Sequence, residues 1–323
     1  MPDYFVYILF LLLFFVLEIL YFKISKKYQI LDIPNERSSH QKFTIRGGGI
    51  IFPIAALSWF LISGFPNPFF ILGLVIISII SFIDDIEHIH TKVRFMFQLF
   101  AVALMLYQVP VNLEWFFFPI IFILLVGTIN AYNFMDGING ITGLYSISTL
   151  ISLLYVNSKI AFTSNRLLIL CLLALLVFGY FNFRRRARTF AGDIGSVSIA
   201  FTICYLLLTL VAETDNFIYV LFLLFYGLDA ASTMLFRALR RENLLEAHRT
   251  HFYQFLANEK KWPHLGVALL YAGGQLVTNY CLVSFTKQSS NMLLTILIIF
   301  ISAIIFIALR FFVEGKKQLI DPA

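Results

Sequence analysis

The feature that most constrains this chain is a succession of apolar runs, most of them close to the roughly 20 residues that a helix needs to cross about 30 Å of hydrocarbon. About eleven recur: 4–22, 48–63, 68–83, 94–109, 115–132, 138–156, 166–183, 194–211, 217–236, 264–286 and 290–312. Phe and Ile fill them, and β-branched residues are no bar to helix where lipid demands closed backbone hydrogen bonding. A transmembrane barrel would alternate over segments of about ten residues, and Ile71–Ile80 does not alternate. Of the 323 residues, 60% are hydrophobic and 13% charged, against about 25% charged in soluble domains. Disorder, a secreted disulfide scaffold and a soluble enzyme are excluded. The expectation is an all-α polytopic integral membrane protein, a single domain over 1–323.

Charge sets the orientation. The first run lacks a positive n-region and a small-residue cleavage site, and Lys23, Lys26 and Lys27 follow it. It reads as a signal anchor rather than a signal peptide. With the N-terminus outside, eleven spans and the C-terminus cytoplasmic, all of the 24 Lys and Arg except Lys159, Arg166 and Lys287 fall inside. The net charge of +6 is therefore a topology signal. The expected partner is the lipid bilayer, not nucleic acid. Cys171, Cys204 and Cys281 sit in separate runs without metal spacing and read as small buried hydrophobes. Glu18, near the inner end of its span, is expected to reach the interface. Asp229, two turns before Arg237, is expected in a buried pairing.

Five inner segments carry the unusual residues. Asp32-Ile-Pro-Asn-Glu-Arg-Ser-Ser-His40 precedes Thr44-Ile-Arg46-Gly-Gly-Gly49. The glycines allow close approach of a ligand or of another helix, and Arg46 suits a phosphate. A plain turn with positive-inside arginines is the alternative. Asp84-Asp85 ends the third run, followed by Glu87, His88 and His90. Adjacent carboxylates there are costly and oppose the helix dipole, so a divalent cation or phosphate handling would explain them. In Asn130-Ala-Tyr-Asn133-Phe-Met-Asp136-Gly-Ile-Asn139-Gly140, the polar residues at 130, 133 and 136 share one face if the helix continues. Arg184-Arg-Arg-Ala-Arg188 leads to Phe190-Ala-Gly192-Asp193-Ile-Gly195-Ser196, where Asp193 opens a span between glycines that let a hard cation approach. The long inner loop holds Arg237, Arg240 and Arg241, then His248-Arg249-Thr250-His251. Two histidines without thiols make a poor zinc set, and pyrophosphate binding fits these residues better; a surface amphipathic helix is the alternative.

In this order the motifs resemble the polyprenyl-phosphate N-acetylhexosamine-1-phosphate transferases, the superfamily of MraY, WecA and WbpL, over residues 32–254. The WecA/WbpL branch, which starts O-antigen and related lipopolysaccharide and cell-wall polymers, is the nearest likeness. The resemblance implies transfer of an N-acetylhexosamine-1-phosphate from a UDP-N-acetylated sugar to undecaprenyl phosphate, with release of UMP. It implies Mg²⁺ or Mn²⁺, a bacterial inner (plasma) membrane location, an active site on the cytoplasmic face, and allows a homodimer. Carried over by motif, Asp84, Asp85, Asp136 and His248 are the catalytic candidates. Asp193 and Asp136 are the metal candidates. Asn133, Asn139, Phe190, Arg46, Arg249 and His251 are the candidates for holding nucleotide and pyrophosphate, with Phe190 the aromatic that stacks on uracil.

The chain departs from the family where Asn139 stands for a usual Asp, where Arg185-Arg186 replaces Pro-Pro, and where the last loop holds fewer histidines. That loop looks more like the WbpL type. Its Phe252, Tyr253 and Phe255 would offer an apolar wall to the C6 methyl of a 6-deoxy sugar, or would anchor the loop at the interface. A membrane transporter of an anionic substrate is the rival class, but transporters gather their charges near the midplane, whereas these acids lie at span ends.

Overall fold

A computed structural model describes residues 3–32, 43–87, 89–111, 114–244, 248–285 and 292–320. The segment Pro34–His40 and His88 from the sequence motifs lie outside the described residues.

Helices stand at every position where the hydropathy placed one. They are α1 (Asp3–Lys27), α2 (Ile51–Ile62), α3 (Pro68–Ile86), α4 (Thr91–Gln108), α5 (Phe118–Phe134), α6 (Ile141–Ile160), α7 (Asn165–Asn182), α8 (Gly192–Thr214) and α9 (Leu224–Leu239), then the short α10 (Phe252–Asn258), α11 (His264–Phe285), α12 (Met292–Glu314) and the short α13 (Lys316–Ile320). Among the described residues, nine helical stretches are long and apolar enough to cross a membrane. The two that fall short are α2, only 12 residues long, and α4, whose first turns carry Lys92 and Arg94. The chain is thus an all-α, multi-pass membrane protein.

The core centres on α8, buried along almost its whole length and flanked by α2, α3 and α5. Its small residues allow this. Ser198 and Thr202 turn their hydroxyls back onto the helix, donating to the Gly195 and Ser198 carbonyls at 3.3 and 2.9 Å, so they cost little inside an apolar bundle. A second packed group joins α6, α7 and α11. There Ser148 Oγ donates to the Ala272 carbonyl at 2.8 Å and Asn279 Nδ2 to Ser152 Oγ at 3.0 Å, polar ties where no water competes. The outward faces of α1, α4 and α12 expose Ile, Leu and Phe, a surface suited to lipid.

Glu18 corrects one expectation. It does not reach an interface: it is fully buried, and neither carboxyl oxygen has a hydrogen-bond partner. α1 turns this face inward, against Gly48 and Thr189.

Candidate active site

Three extended pieces build the mouth of the bundle. β1 (Leu31–Asp32) pairs antiparallel with β2 (Thr44–Ile45), matching Leu31 with Ile45 and Asp32 with Thr44. Ile45 also bridges Thr189 in parallel. Gly48 and Gly49 then donate their N–H groups to the carbonyls of Phe190 and Ala191 at 2.9 and 3.0 Å. The approach is close: a Cβ on Gly49 would lie 2.2 Å from the Cα of Gly195. Of the two sequence readings of the glycines, approach to another helix is the one realised here. Gly192 is constrained twice, by φ +71° and by Asp85, whose Oδ2 would lie 2.5 Å from a Cβ there.

This packing brings Arg46 beside the acids. Its Nε donates to Asp85 Oδ1 at 2.6 Å and its Nη2 to Asp193 Oδ1 at 3.2 Å. Arg94, in the first turn of α4, bridges Asp84 and Asp193; its Nη1 is 2.9 Å from Asp193 Oδ2 and closer still to Asp84 Oδ2. The two adjacent aspartates therefore do different work. Asp84 also accepts from the Ile89 N–H at 2.8 Å, fixing the turn after α3. Asp85 accepts from the N–H groups of Asp193 and Ile194 at 2.9 and 3.0 Å. Its charge, unfavourable at the C-terminal end of α3, is favourable at the N-terminus of α8. Burial alone would lower the Arg46 pKa, but Asp85 and Asp193 outweigh it and hold the guanidinium above its ordinary value.

Other motif residues divide. Asn133 Oδ1 accepts from Ser196 Oγ at 2.7 Å, which ties the end of α5 to the first turn of α8. The expected polar stripe does not form. α5 ends at Phe134, so Asp136 lies beyond it, and Asn130 turns to Gln98 of α4 at 3.0 Å. Asp136 is half-buried within reach of the charges of Asp85 and Arg46, and burial pushes its carboxyl up to about 6. Asn139 is buried and donates to the Arg184 and Arg185 carbonyls at 3.0 and 3.4 Å, holding the basic turn. Half-buried Phe190 joins β2 through its backbone, its N–H 2.8 Å from the Ile45 carbonyl. His90 caps α4, accepting from the Lys92 N–H at 3.2 Å.

The histidine loop docks on the Asp136 segment. Tyr253 donates to the Phe134 carbonyl at 2.9 Å, and its hydroxyl would lie 2.2 Å from a Cβ on Gly137. The rings of His248 and His251 lie 5.7 and 6.5 Å from that of Phe134. Their Nε2 atoms are 3.1 Å apart. His251 Nδ1 faces Asp229 Oδ1 at 3.3 Å, and His248 Nδ1 faces Arg237 Nη1 at 2.6 Å. Asp229 is buried and paired as expected, but not with Arg237. It accepts from the Phe252 and Tyr253 N–H groups at 2.9 and 3.1 Å and from the Tyr271 hydroxyl at 2.6 Å. Arg237 turns away to Glu242 at 2.9 Å. Arg249 lines a cavity with Arg240 and Arg310. Phe252 and Tyr253 are buried in the core, against Phe306 and Tyr271, so they form no open apolar wall; Phe255 alone of the three lines that cavity.

Arg94 is the residue that the motifs missed. A cation in the first turn of a helix opposes the dipole, the same kind of misfit that singled out Asp84 and Asp85. Among the described residues, no three His, Cys, Asp or Glu side chains are grouped as a metal-ligand set; the two guanidinium groups bridge the carboxylates instead. The donor chemistry still suits a hard cation, because the centre offers carboxylate oxygens and no thiolate.

Fold and centre together define a multi-pass helical membrane protein with acids and arginines gathered at one end of the bundle. Residues 68–211 match the family model described as glycosyl transferase family 4, a stretch that contains Asp84, Asp85, Asn133, Asp136, Phe190 and Asp193. The chain is 26% identical over 304 residues to a probable undecaprenyl-phosphate N-acetylglucosaminyl 1-phosphate transferase of Bacillus subtilis, covering 86% of this chain and 83% of that protein. It is 29% identical over 175 residues to a phospho-N-acetylmuramoyl-pentapeptide-transferase of Dictyoglomus thermophilum, 47% of this chain and 55% of that one. It is 28% identical over 148 residues to an undecaprenyl-phosphate alpha-N-acetylglucosaminyl 1-phosphate transferase of Thermotoga maritima, 43% and 47% of the two chains. Against these last two, the match spans only about half of the relative's length. The chain is therefore similar to the polyprenyl-phosphate N-acetylhexosamine-1-phosphate transferases, with the family model matching its middle part.

Proposed function

We propose that this protein transfers an N-acetylhexosamine-1-phosphate from a UDP-sugar to undecaprenyl phosphate, as the first membrane step of a cell-envelope polysaccharide. A lipid phosphate oxygen attacks the β-phosphorus of the donor. The bond from that phosphorus to the bridging oxygen breaks, and UMP leaves with the electron pair. The observation that carries this reading is the meeting of Asp84, Asp85 and Asp193 with Arg46 and Arg94, drawn from three distant parts of the sequence.

Two anionic phosphates must approach one another, so cationic groups aimed at the developing charge are the main need. Arg46 and Arg94 are partly exposed and are the cations placed to meet them. Asp84 and Asp85 hold these arginines, and Asp85 also fixes the start of α8. Asp193 and Asp136 would hold Mg²⁺ or Mn²⁺, which when bound screens the pyrophosphate. A lipid phosphate is largely dianionic at neutral pH, its second pKa being about 6 by analogy with other phosphates; positioning it matters more than removing a proton. Of the histidine loop, His248 faces the pyrophosphate, and Phe190 the uracil. With eleven crossings and the N-terminus outside, the centre faces the cytoplasm, a placement supported by the crowding of basic residues at this end.

The donor sugar is best sought first among N-acetylglucosamine nucleotides, because burial of Phe252 and Tyr253 removes most of the support for a 6-deoxy preference. The experiment is exchange of radiolabelled UMP into the UDP-sugar. Exchange that needs both undecaprenyl phosphate and Mg²⁺ is expected, and UDP-N-acetylglucosamine should compete with UDP-N-acetylfucosamine and UDP-N-acetylquinovosamine. Transport of a donor across vesicles without exchange would favour the transporter class instead.

A further inference from the structure

A cavity of about 200 Å³ lies where the histidine loop, α10, the end of α12 and α13 meet. Arg240, Arg249 and Arg310 line it, together with the amides of Gln254, Asn258 and Gln318. Glu314 also lines it, but Arg310 consumes that charge through bonds of 2.5 and 3.2 Å. Glu259 is the remaining acid of the lining. The lining thus holds three cations and two acids.

One side chain there is left incomplete. The Arg240 side chain is only 5% exposed. Its Nε donates to Glu242 at 2.5 Å and its Nη1 to the Leu319 carbonyl at 2.9 Å, yet the buried Nη2 has no partner. A buried donor without an acceptor costs about 1–3 kcal/mol, and the neighbouring arginines avoid that cost. Arg237 and Arg310 spend each of their nitrogens on carboxylate, hydroxyl or carbonyl oxygens. The Nη2 of Arg240 shares its carbon with Nη1, whose acceptor Leu319 is itself part of the cavity wall. Arg240 itself lines the cavity, so the side chain with the unfilled donor borders it.

We propose that this cavity is a second anion site, separate from the acid–arginine centre, that takes a phosphate group held by Arg240 Nη2, Arg249 and the amides. Such a group could arrive on an acidic phospholipid, since basic pockets between helix ends take lipid headgroups, or as free phosphate. The inference needs the cavity alone and not the transfer reaction.

The test uses full-length protein in detergent without divalent metal or donor. Phosphate binding is measured by calorimetry. Lipid retention is measured by native mass spectrometry after passage through vesicles of phosphatidylcholine with or without phosphatidylglycerol. Arg240→Gln removes the open donor. Gln318→Glu, at an exposed position with no hydrogen bond of the fold to lose, sets a like charge against the anion. Either variant should weaken binding at least about tenfold, a modest demand on one charge in a half-buried site. Loss of phosphate binding alone identifies a soluble source, loss of phosphatidylglycerol retention alone a lipid source, and loss of both the shared phosphate chemistry. Failure of the wild-type protein to bind either probe, or equal binding by wild type and Gln318→Glu, overturns the proposal. UMP exchange run on the same samples keeps the two readings apart, because loss of exchange with intact phosphate binding would count against the transfer reaction only.

Discussion

Two buried carboxylates cap helix N-termini in this molecule, and they end in different circumstances. Asp85 accepts two N–H groups at the start of α8, and Asp229 accepts two at the start of α10. Around Asp85 the surroundings stay partly open, with Arg46 34% and Arg94 24% exposed at the side chain. Around Asp229 they are closed: its own carboxyl, His251 and Arg237 are all nearly inaccessible. The same device builds a charged centre that solutes can reach in one place and a sealed brace for the histidine loop in the other. A buried carboxylate in a membrane protein is therefore not by itself a catalytic sign; what its partners still expose decides.

The largest effect expected from this contrast is at the sealed site. Asp229→Ala leaves two N–H groups, the Tyr271 hydroxyl and His251 without their acceptor, and should cost about 3–5 kcal/mol, the range for breaking a buried charged network. Thermal unfolding of the purified protein checks it; an unchanged midpoint would break the comparison. Next comes Gly49→Ala, which pushes a methyl into the backbone of α8 at Gly195 and should cost about 1–3 kcal/mol while moving Arg46 away from the acids. Unfolding and UMP exchange should fall together in that variant, since fold and centre share this contact. Folding intact with normal exchange would mean that the glycine approach does not position the centre.

The smallest effect is a pH dependence. Burial raises the Asp136 carboxyl to about 6, so the fold favours its protonated form. That stabilising contribution is fully present below the unfolded value of about 3.9 and is lost as pH rises through about 6. The unfolding midpoint of metal-free wild type should therefore fall, relative to Asp136→Asn, between pH 5 and pH 7. Parallel curves would show that Asp136 is not held in a desolvating position.

Much of this was legible in the sequence, for reasons that differ by level. Hydropathy placed the helices, because lipid leaves few alternatives to a helix of set length. The residues Asp84, Asp85 and Asp193 stood out as charges that a span end should not carry, and the structure joins them through Arg46 and Arg94. What a single sequence leaves open is the choice of partner. Asn130 and Asn133 are one turn apart, yet one faces Gln98 and the other Ser196, a division set by how α4 and α8 pack on α5. Arg237 looked placed for Asp229 by spacing along the chain, but the chain folds α10 back and delivers backbone N–H groups to that carboxyl first. Glu18 was misplaced for the same reason: its depth was readable, whereas the rotation of α1 that turns it inward was not.

If the chemistry belongs to the open centre, Asp193→Asn should stop it without unfolding the protein. The substitution keeps the size and the backbone N–H bond to Asp85 and removes the charge that Arg46 and Arg94 share. An unchanged unfolding profile is expected, with magnesium-dependent UMP exchange reduced on the order of 10²–10³-fold, as for removal of one charge-stabilising group. A well-folded Asp193→Asn protein that exchanges UMP at a rate near wild type would contradict it.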